Sequence, residues 1–448
     1  MTIKVRFAPS PTGFLHVGNI RVAIINFLYA KKNNGQFLLR YDDTDSQRVR
    51  DEYSKMIAKD MAWLGLEYDD FFRQSSRLNR YEEAKNLLIK KGRLYECFET
   101  PEELNLQRKS QIISGIAPVY DRSALRLSSE QKQILRNQGL KPHYRFLLLD
   151  GEVSWQDKIK GKITYQGRHF SDPVLIREED GNGFGIPTYT FCSVVDDIDY
   201  KITDIIRGED HITNTAIQIQ IFEALGASPP DFAHLSLIKA SEGKISKREG
   251  GFDIKSLREE GYEAMSIVNL LSQIGTSQSL KIYTDYAELI NNFSFDKFSK
   301  SATNYDISEL LNINQKLLQT YEFNEINDIL KRENKTISQK LWSPIKANIF
   351  FLKEIDEWIE ICSDNFKYEN NQKDKEFLNQ CLEVLPADTG NENSWNIWLD
   401  NIKKISDRKG KDLFMPIRLA LSGREHGPEL KNLVNLISRE QIIRRLNF

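Results

Sequence analysis

Residues 6 to 18 read Arg6-Phe7-Ala8-Pro9-Ser10-Pro11-Thr12-Gly13-Phe14-Leu15-His16-Val17-Gly18. Leading into this stretch, Ile3, Val5 and Phe7 alternate with Lys4 and Arg6, the period-two pattern of a short strand. Pro9, Pro11 and Gly13 break the strand. Ile20, Ala23, Ile24, Phe27 and Leu28 then recur at helical spacing up to the stop Asn33-Asn34-Gly35. The apolar run Phe37-Leu38-Leu39 leads into Arg40-Tyr41-Asp42-Asp43-Thr44-Asp45, and a further helix runs to about Leu64. Strand, helix, strand, helix predicts the start of a Rossmann-like, doubly wound α/β sheet, whose ligands bind beyond the carboxyl ends of its strands.

The turn at residues 8–18 is a candidate phosphate site. Gly13 and Gly18 let the backbone approach a ligand, and His16 can donate to phosphate oxygens. The helix behind them turns its N–H groups and positive dipole end toward an anion. An ordinary strand–turn–helix corner with a surface histidine is the plainer reading. Far downstream, Lys244-Ile245-Ser246-Lys247-Arg248 lies between Gly243 and Gly250-Gly251. Cations gathered there can meet charge developing on a triphosphate, although such a run alone reads as a solvated loop. Arg6 and Arg207 fall at or near strand ends and could grip carboxylates bidentately, while Asp42 could take an ammonium. Residues 42–45 also read as a helix N-cap through Thr44 or Asp45, or as an acidic metal cluster.

A chain of 448 residues is long enough for two to four modules. Its net charge of −2 marks no global field for nucleic acid, so any RNA contact must come from local basic faces. Cys97, Cys192, Cys362 and Cys381 are far apart, which predicts reduced thiols and no disulfide framework. The start MTIKVRFAPSP lacks the basic segment and apolar run of a leader. No stretch approaches the roughly 20 apolar residues that span a bilayer. A cytoplasmic protein with no membrane partner is the expectation.

Four segments are expected. Residues 1–100 form the first half of the Rossmann-like α/β domain. Residues 101–190, irregular with β-like runs at 143–148 and 162–165, form an α+β insertion. Residues 191–304 resume the α/β pattern with a strand at 202–207, the loop Gly208-Glu209-Asp210-His211, a helix to about Ala224, a strand near 235–238 and the basic loop. Residues 305–448 show helix-like segments without strand alternation.

The words RFAPSPTG (6–13), RYDDTD (40–45), IIRGEDH (205–211) and KISKR (244–248) together resemble the glutamyl-tRNA synthetases of bacterial type, class I aminoacyl-tRNA synthetases. That resemblance implies a two-step ligation. L-Glutamate and ATP give glutamyl-adenylate and pyrophosphate, and the acyl group then passes to the 3′-terminal ribose of tRNA, with productive activation requiring bound tRNA. It implies His16, Gly18 and Lys247 as catalytic residues, with Asn19, Lys244 and Arg248 beside them on ATP. Asn19 stands where many class I enzymes carry a second histidine. Implied glutamate contacts are Arg6, Ser10, Asp42, Tyr189 and Arg207. The family usually has Ile-Glu where this chain has Tyr41-Asp42, so a water-bridged contact is expected from the shorter carboxylate. Magnesium comes with ATP, held by phosphates and water.

Many relatives bind zinc through a Cys-x-Cys pair early in the insertion and a second pair after a Tyr-Asp word. Cys97-Phe98-Glu99 and Tyr120-Asp121-Arg122-Ser123-Ala124 keep one cysteine, so no structural zinc is expected and Cys97 reads as a small buried apolar residue. KGKDLFMPIRLALSGREHGPEL (409–430) resembles the helical region that reads the anticodon. Arg418 and Arg424 are the candidate RNA contacts there, and His426 is expected to be packed. The implied partner is the glutamate tRNA, with the glutamine tRNA left open, and the implied state is a monomer. A glutaminyl enzyme typically begins this motif Pro-Pro-Glu-Pro-Asn, unlike Ala8-Pro9-Ser10-Pro11-Thr12. A base-modifying paralogue would lack the helical segment. An inactive RNA-binding paralogue is the remaining alternative, opposed by the presence of His16, Gly18, Lys247, Arg6 and Arg207.

Overall fold

Strand β1 (Lys4–Phe7) is followed by helix α1 (Val17–Lys32), β2 (Gln36–Tyr41), α2 (Asp51–Trp63) and β3 (Asp70–Arg73), the alternation its apolar spacing predicts. The computed structural model describes residues 2–45, 47–115, 117–179, 185–240, 252–332, 334–368, 372–391 and 393–447. β1 pairs in parallel with β2, and β2 with β3. α1 lies on these strands and buries Val17, Ile20, Ala23, Ile24, Phe27 and Leu28.

The chain continues through α3 (Leu78–Lys90), β4 (Leu94–Cys97), α4 (Pro101–Ile113), α5 (Ser129–Asn137), β5 (His143–Phe146), β6 (Glu152–Asp157), β7 (Gly161–Gln166), β8 (Val174–Glu179) and β9 (Gly185–Pro187). β4, β5, β8 and β9 make an antiparallel sheet in that order, and β6 with β7 a hairpin. Thr100 starts α4 with a reciprocal cap. Its hydroxyl accepts from the Glu103 amide at 3.2 Å, and the Glu103 carboxylate accepts from the Thr100 amide at 2.8 Å.

α6 (Tyr189–Asp199), β10 (Asp204–Gly208), α7 (Ile212–Leu225) and β11 (Asp231–Leu235) complete the parallel layer. The Thr203 amide donates to the Lys4 carbonyl at 2.9 Å, and the Thr203 hydroxyl accepts from the Lys4 amide at 2.8 Å, so β10 runs beside β1. β11 pairs in parallel with β10. The order β3-β2-β1-β10-β11 reverses between β1 and β10, the point where doubly wound sheets bind ligands. Gly226 closes α7 at φ 88°, a left-handed conformation that suits glycine. β12 (Ile238–Ala240) pairs in parallel with β13 (Thr303–Tyr305). Phe191, Val194, Ile205, Ile219, Phe222 and Phe232 form the core of this layer. All these elements belong to one compact unit, residues 1–257, 268–281 and 285–306.

Residues 42–45 do not cap a helix. α2 begins only at Asp51, with Arg50 at its N-cap. Asp43 instead accepts from the Ser75 amide at 2.8 Å, the Ser75 hydroxyl at 2.9 Å and Arg73 at 3.3 Å, tying the end of β2 to the turn after β3.

The second unit comprises residues 258–267, 282–284 and 307 onward. Helices follow one another from Ile307–Thr320 to Arg439–Leu446, with no strand among the described residues beyond 307. Its core holds Trp342, Trp358 and Trp398. The Trp342 indole donates to the Tyr321 carbonyl at 3.2 Å and that of Trp398 to the Cys381 carbonyl at 2.8 Å, so both polar edges are satisfied. Arg445, in the last helix, is buried. Its guanidinium donates to the Leu421 and Ile361 carbonyls, each at 2.6 Å, near the ends of two helices. All four cysteines are free thiols. Among the described residues no helix is long and apolar enough to cross a membrane.

Candidate active site

Beyond the carboxyl ends of β1 and β10 lies a cavity of about 880 Å³, within the ~300–1,000 Å³ range of small-molecule sites. Arg6, Ser10, His16, Gly18, Asn19, Asp42, Tyr189 and Arg207 all line it. Lys244, Lys247 and Arg248 lie outside the described residues. The chain that follows them is fastened to the first turn. The Phe252 ring stacks on His16 with centroids 5.5 Å apart, the Phe252 carbonyl accepts from the Val17 amide at 3.0 Å, and the Leu15 carbonyl accepts from the Ile254 amide at 2.9 Å.

His16 is the N-cap of α1. Its Nδ1 accepts from the Gly18 amide at 3.1 Å and the Asn19 amide at 3.3 Å, and Asn19 Oδ1 reaches back to the His16 amide at 3.4 Å. With Nδ1 an acceptor, the proton of the neutral ring sits on Nε2, which makes Nε2 the donor toward a ligand. Gly18 makes room for this ring. A Cβ there would sit 2.9 Å from His16 Cε1 and 3.0 Å from Nδ1.

The amino-acid side of the cavity is a buried charge network. Arg6 donates Nε to Asp197 Oδ1 at 3.0 Å and Nη2 to Oδ2 at 3.3 Å. That edge of the Arg6 fork is therefore occupied by an internal carboxylate rather than left open for a bidentate grip on a ligand. Arg40, fully buried, donates to Asp42 at 2.6 and 3.3 Å and to Asp197 at 3.0 Å. Asp196 lies 3.9 Å from Arg40 and is held by Gln74, Arg77 and Tyr81. Three cations (Arg6, Arg40, Arg77) thus face three carboxylates (Asp42, Asp196, Asp197). Burial pushes the Asp42 carboxyl up to about 6, with Arg40 acting against it, and also raises Asp196. Burial alone would lower Arg40, but the carboxylates beside it outweigh that and hold it well above its usual value.

Arg207 donates Nη1 to the Tyr189 hydroxyl at 3.3 Å and Nη2 to the Thr215 hydroxyl at 2.6 Å. Arg21 also lines the cavity and braces it through the Ser236 and Ile274 carbonyls at 2.7 and 2.9 Å, with burial pushing its guanidinium down to about 10. The reading of the sequence missed Arg21, Arg40, Asp196 and Asp197. The available signal was the acid pair within the apolar helix YTFCSVVDDID, since buried carboxylates need cationic or hydrogen-bonding partners.

The sequence and fold of the chain match known proteins. A model of class I tRNA synthetases (E and Q), catalytic domain, matches residues 2–312, and an anticodon binding domain model matches residues 315–448. Glutamate–tRNA ligase 1 of Rickettsia felis is 50% identical over 446 residues, 99% of each chain. The chain belongs to the class I glutamate–tRNA ligases. Its similarity to Glutamate–tRNA ligase 1 of Rickettsia akari is 51% over 443 residues, 98% of each chain. A glutamate tRNA ligase from Elizabethkingia meningosepticum, solved in complex with its amino acid, matches with a TM-score of 0.81 at 27% identity, covering 100% of this chain and 98% of that one.

Gly18 offers a direct test within this ligase family. Gly18→Ala gains up to about 0.5–1 kcal/mol of helix preference, which offsets most of the roughly 1 kcal/mol of capping that the displaced His16 ring would lose, so thermal stability should change little. It also displaces the His16 ring, and a misplacement of about 1 Å can cost roughly 10²-fold in rate. ATP–pyrophosphate exchange should therefore fall at least about tenfold; exchange at the wild-type level would separate ring position from activity.

Two further groups of residues carry the remaining expectations from the sequence, and Cys97 is buried as expected. Cys97 Sγ, a Glu99 carboxylate oxygen and a His143 ring nitrogen lie within 4.8 Å of one another, because His143 on β5 stands directly opposite Cys97 on β4. Glu99 Oε1 accepts from the Tyr120 and Ser123 hydroxyls at 2.5 and 3.0 Å. Glu99 Oε2 and His143 Nε2 are buried without a partner among the described residues. Burial pushes the Cys97 thiol up to about 12 and His143 down to about 4. In the second unit, Arg424 pairs with Glu357 and lies over the Trp358 ring, and Arg418 donates to the Pro428 carbonyl at 2.9 Å. His426 is exposed rather than packed.

Proposed function

We propose that the chain joins L-glutamate to the 3′ end of its tRNA with ATP through a glutamyl-adenylate, in protein synthesis. Membership of the family carries the overall ligation. The observation that supports the detailed reading is the meeting, in one cavity, of an anion-ready helix start at His16 and Gly18 with Asp42, Tyr189 and Arg207. Both substrates have a wall suited to their charge.

In this reading His16 Nε2–H and the N-terminus of α1 take phosphate oxygens, beside Asn19. Lys247, with Lys244 and Arg248, meets the charge that develops on the triphosphate as the glutamate carboxylate attacks the α-phosphorus. Arg207 and Tyr189 hold a substrate carboxylate, Arg6 and Ser10 line its approach, and Asp42 takes the α-ammonium. No covalent enzyme nucleophile is required, so the protein acts by positioning and electrostatic stabilisation. Mg²⁺ arrives with ATP, and Asp210, which lines the cavity, is suited to one of its waters.

Zinc is not part of the proposal. Cys97, Glu99 and His143 are one donor short of a closed tetrahedral site, and the Arg145 charge acts on both Cys97 and His143 against a dication. One zinc per chain in the purified protein would overturn this. Residues 1–100 and 191–304 would carry the chemistry, residues 101–190 the acceptor end of tRNA, and residues 305–448 the anticodon, with Arg418 and Arg424 as candidate contacts. The proposed setting is the cytoplasm, as a monomer acting on the glutamate tRNA; action on the glutamine tRNA as well, feeding an amidotransferase, is the alternative that charging assays decide.

Asp42 gives the reading a pH signature. A carboxyl at about 6 is ionised above that pH and neutral below it, while the α-ammonium stays charged throughout. The kcat/KM for glutamate should be level near pH 8 and fall roughly tenfold per unit below about pH 6. Asp42→Asn should remove this acid limb along with most of the affinity for glutamate. An unaltered limb in that variant would assign the titration elsewhere.

A further inference from the structure

Behind Arg207 runs a chain of buried hydrogen bonds for which the proposed reaction has no role. β10 and β11 pair with Arg207 opposite His234, and Thr215 reaches the same point from the first turn of α7. Thr215 Oγ1, which accepts from Arg207 Nη2, lies 2.9 Å from His234 Nε2, and His234 Nδ1 lies 2.5 Å from Asp157 Oδ2. Asp157 is itself fastened at the end of β6. Its Oδ1 accepts from the amides of Ile159, Lys160 and His234 at 3.0, 2.9 and 3.2 Å. Thr215, His234 and Asp157 are buried, and none of them lines the cavity.

The direction of each bond follows from its ends. Burial would raise the Asp157 carboxyl, but the imidazole and the backbone amides hold it below its usual range, so it is an acceptor and His234 Nδ1 carries the proton. The neutral ring then presents Nε2 as an acceptor. It takes the Thr215 hydroxyl proton, and the Thr215 oxygen takes Arg207 Nη2–H. Arg207 Nε–H faces the same ring nitrogen at 3.4 Å. A second proton on His234 would remove that acceptor and set a cation against the guanidinium; burial, the largest influence on this ring, disfavours that form. The Arg207 side chain is thereby held at two of its three nitrogens, leaving Nη1 with the Tyr189 hydroxyl at the cavity.

We propose that His234, oriented by Asp157 and acting through Thr215, is a positioning residue that sets the Arg207 guanidinium for the substrate's carboxylate. This rests on the reading of Arg207 as a glutamate contact. A cluster serving the fold alone would change stability and leave the two substrate affinities in proportion. A positioning cluster changes one of them.

The test is steady-state ATP–pyrophosphate exchange by the full chain with tRNA present, reading the KM for glutamate and for ATP separately in Arg207→Gln, Thr215→Val, His234→Leu and His234→Gln. His234→Leu and Thr215→Val should raise the glutamate KM roughly 10- to 100-fold and leave that for ATP within about twofold. His234→Gln, whose Oε1 can accept where Nε2 did, should recover most of the loss. If His234→Leu does not fold, Thr215→Val, a change of similar shape that removes only the hydroxyl, reads the same quantity. A wild-type glutamate KM in folded Thr215→Val, with Arg207→Gln impaired, overturns the positioning role alone. An unimpaired Arg207→Gln overturns the reading of Arg207 and the positioning role together.

Discussion

His16→Asn lowers ATP–pyrophosphate exchange by about 10²- to 10³-fold, the scale of losing one preorganised donor to developing charge, and leaves the protein folded. The choice of asparagine decides what is measured. His16 caps α1 through Nδ1 and, in the proposed reaction, donates through Nε2. Removing the whole side chain would lose both roles, and the cap alone is worth about 1 kcal/mol. Asparagine is among the preferred N-cap residues and keeps the first role without reaching the phosphates. His16→Ala should therefore show the same catalytic loss as His16→Asn with an added fall in stability. Exchange by His16→Asn within about threefold of wild type would show that the histidine serves the helix and not the reaction.

Arg40→Met costs the catalytic unit about 3–5 kcal/mol, because it leaves Asp42 and Asp197 as buried charges without their shared partner. At roughly 2–4 °C per kcal/mol for a unit of this size, its melting transition should drop by about 10 °C. Arg40→Lys keeps the charge but not the fork that bridges two carboxylates, and should fall between. Arg80 supplies the contrast. It also pairs with an aspartate, Asp199, at 2.9 Å, but its side chain is 37% exposed, so Arg80→Ala should cost less than about 1 kcal/mol. Differential scanning calorimetry on the three variants reads the ranking. Equal transitions for Arg40→Met and Arg80→Ala would mean that the buried network does not hold the site together.

Local patterns carried the α/β alternation well. The apolar alternation of β1 and the 3.6-residue spacing of α1 are written in consecutive residues, so both elements and the turn between them could be read directly. So could the helical character beyond residue 307. What escaped is what strand pairing creates. His143 meets Cys97 only because β4 and β5 pair with those two residues in register, and counting cysteines along the chain cannot reveal a histidine on the next strand. His234 faces Arg207 for the same reason on β10 and β11. Arg40 was hidden differently. Beside an acidic word it reads as part of a loop motif, and only the sheet shows that its guanidinium points inward between Asp42 and Asp197. Residues 42–45 had the composition of a cap but not the position of one, since α2 starts six residues after Asp45 and Asp43 is bound to Ser75.

The central claim, ligation of glutamate to tRNA by this cavity, is tested most directly by aminoacylation of purified glutamate and glutamine tRNAs with labelled L-glutamate. The account predicts charging of the glutamate tRNA, dependent on ATP and lost in His16→Asn; charging of the glutamine tRNA as well would add the amidotransferase route. Failure to charge either tRNA while still binding them would contradict the account and leave an RNA-binding protein in its place.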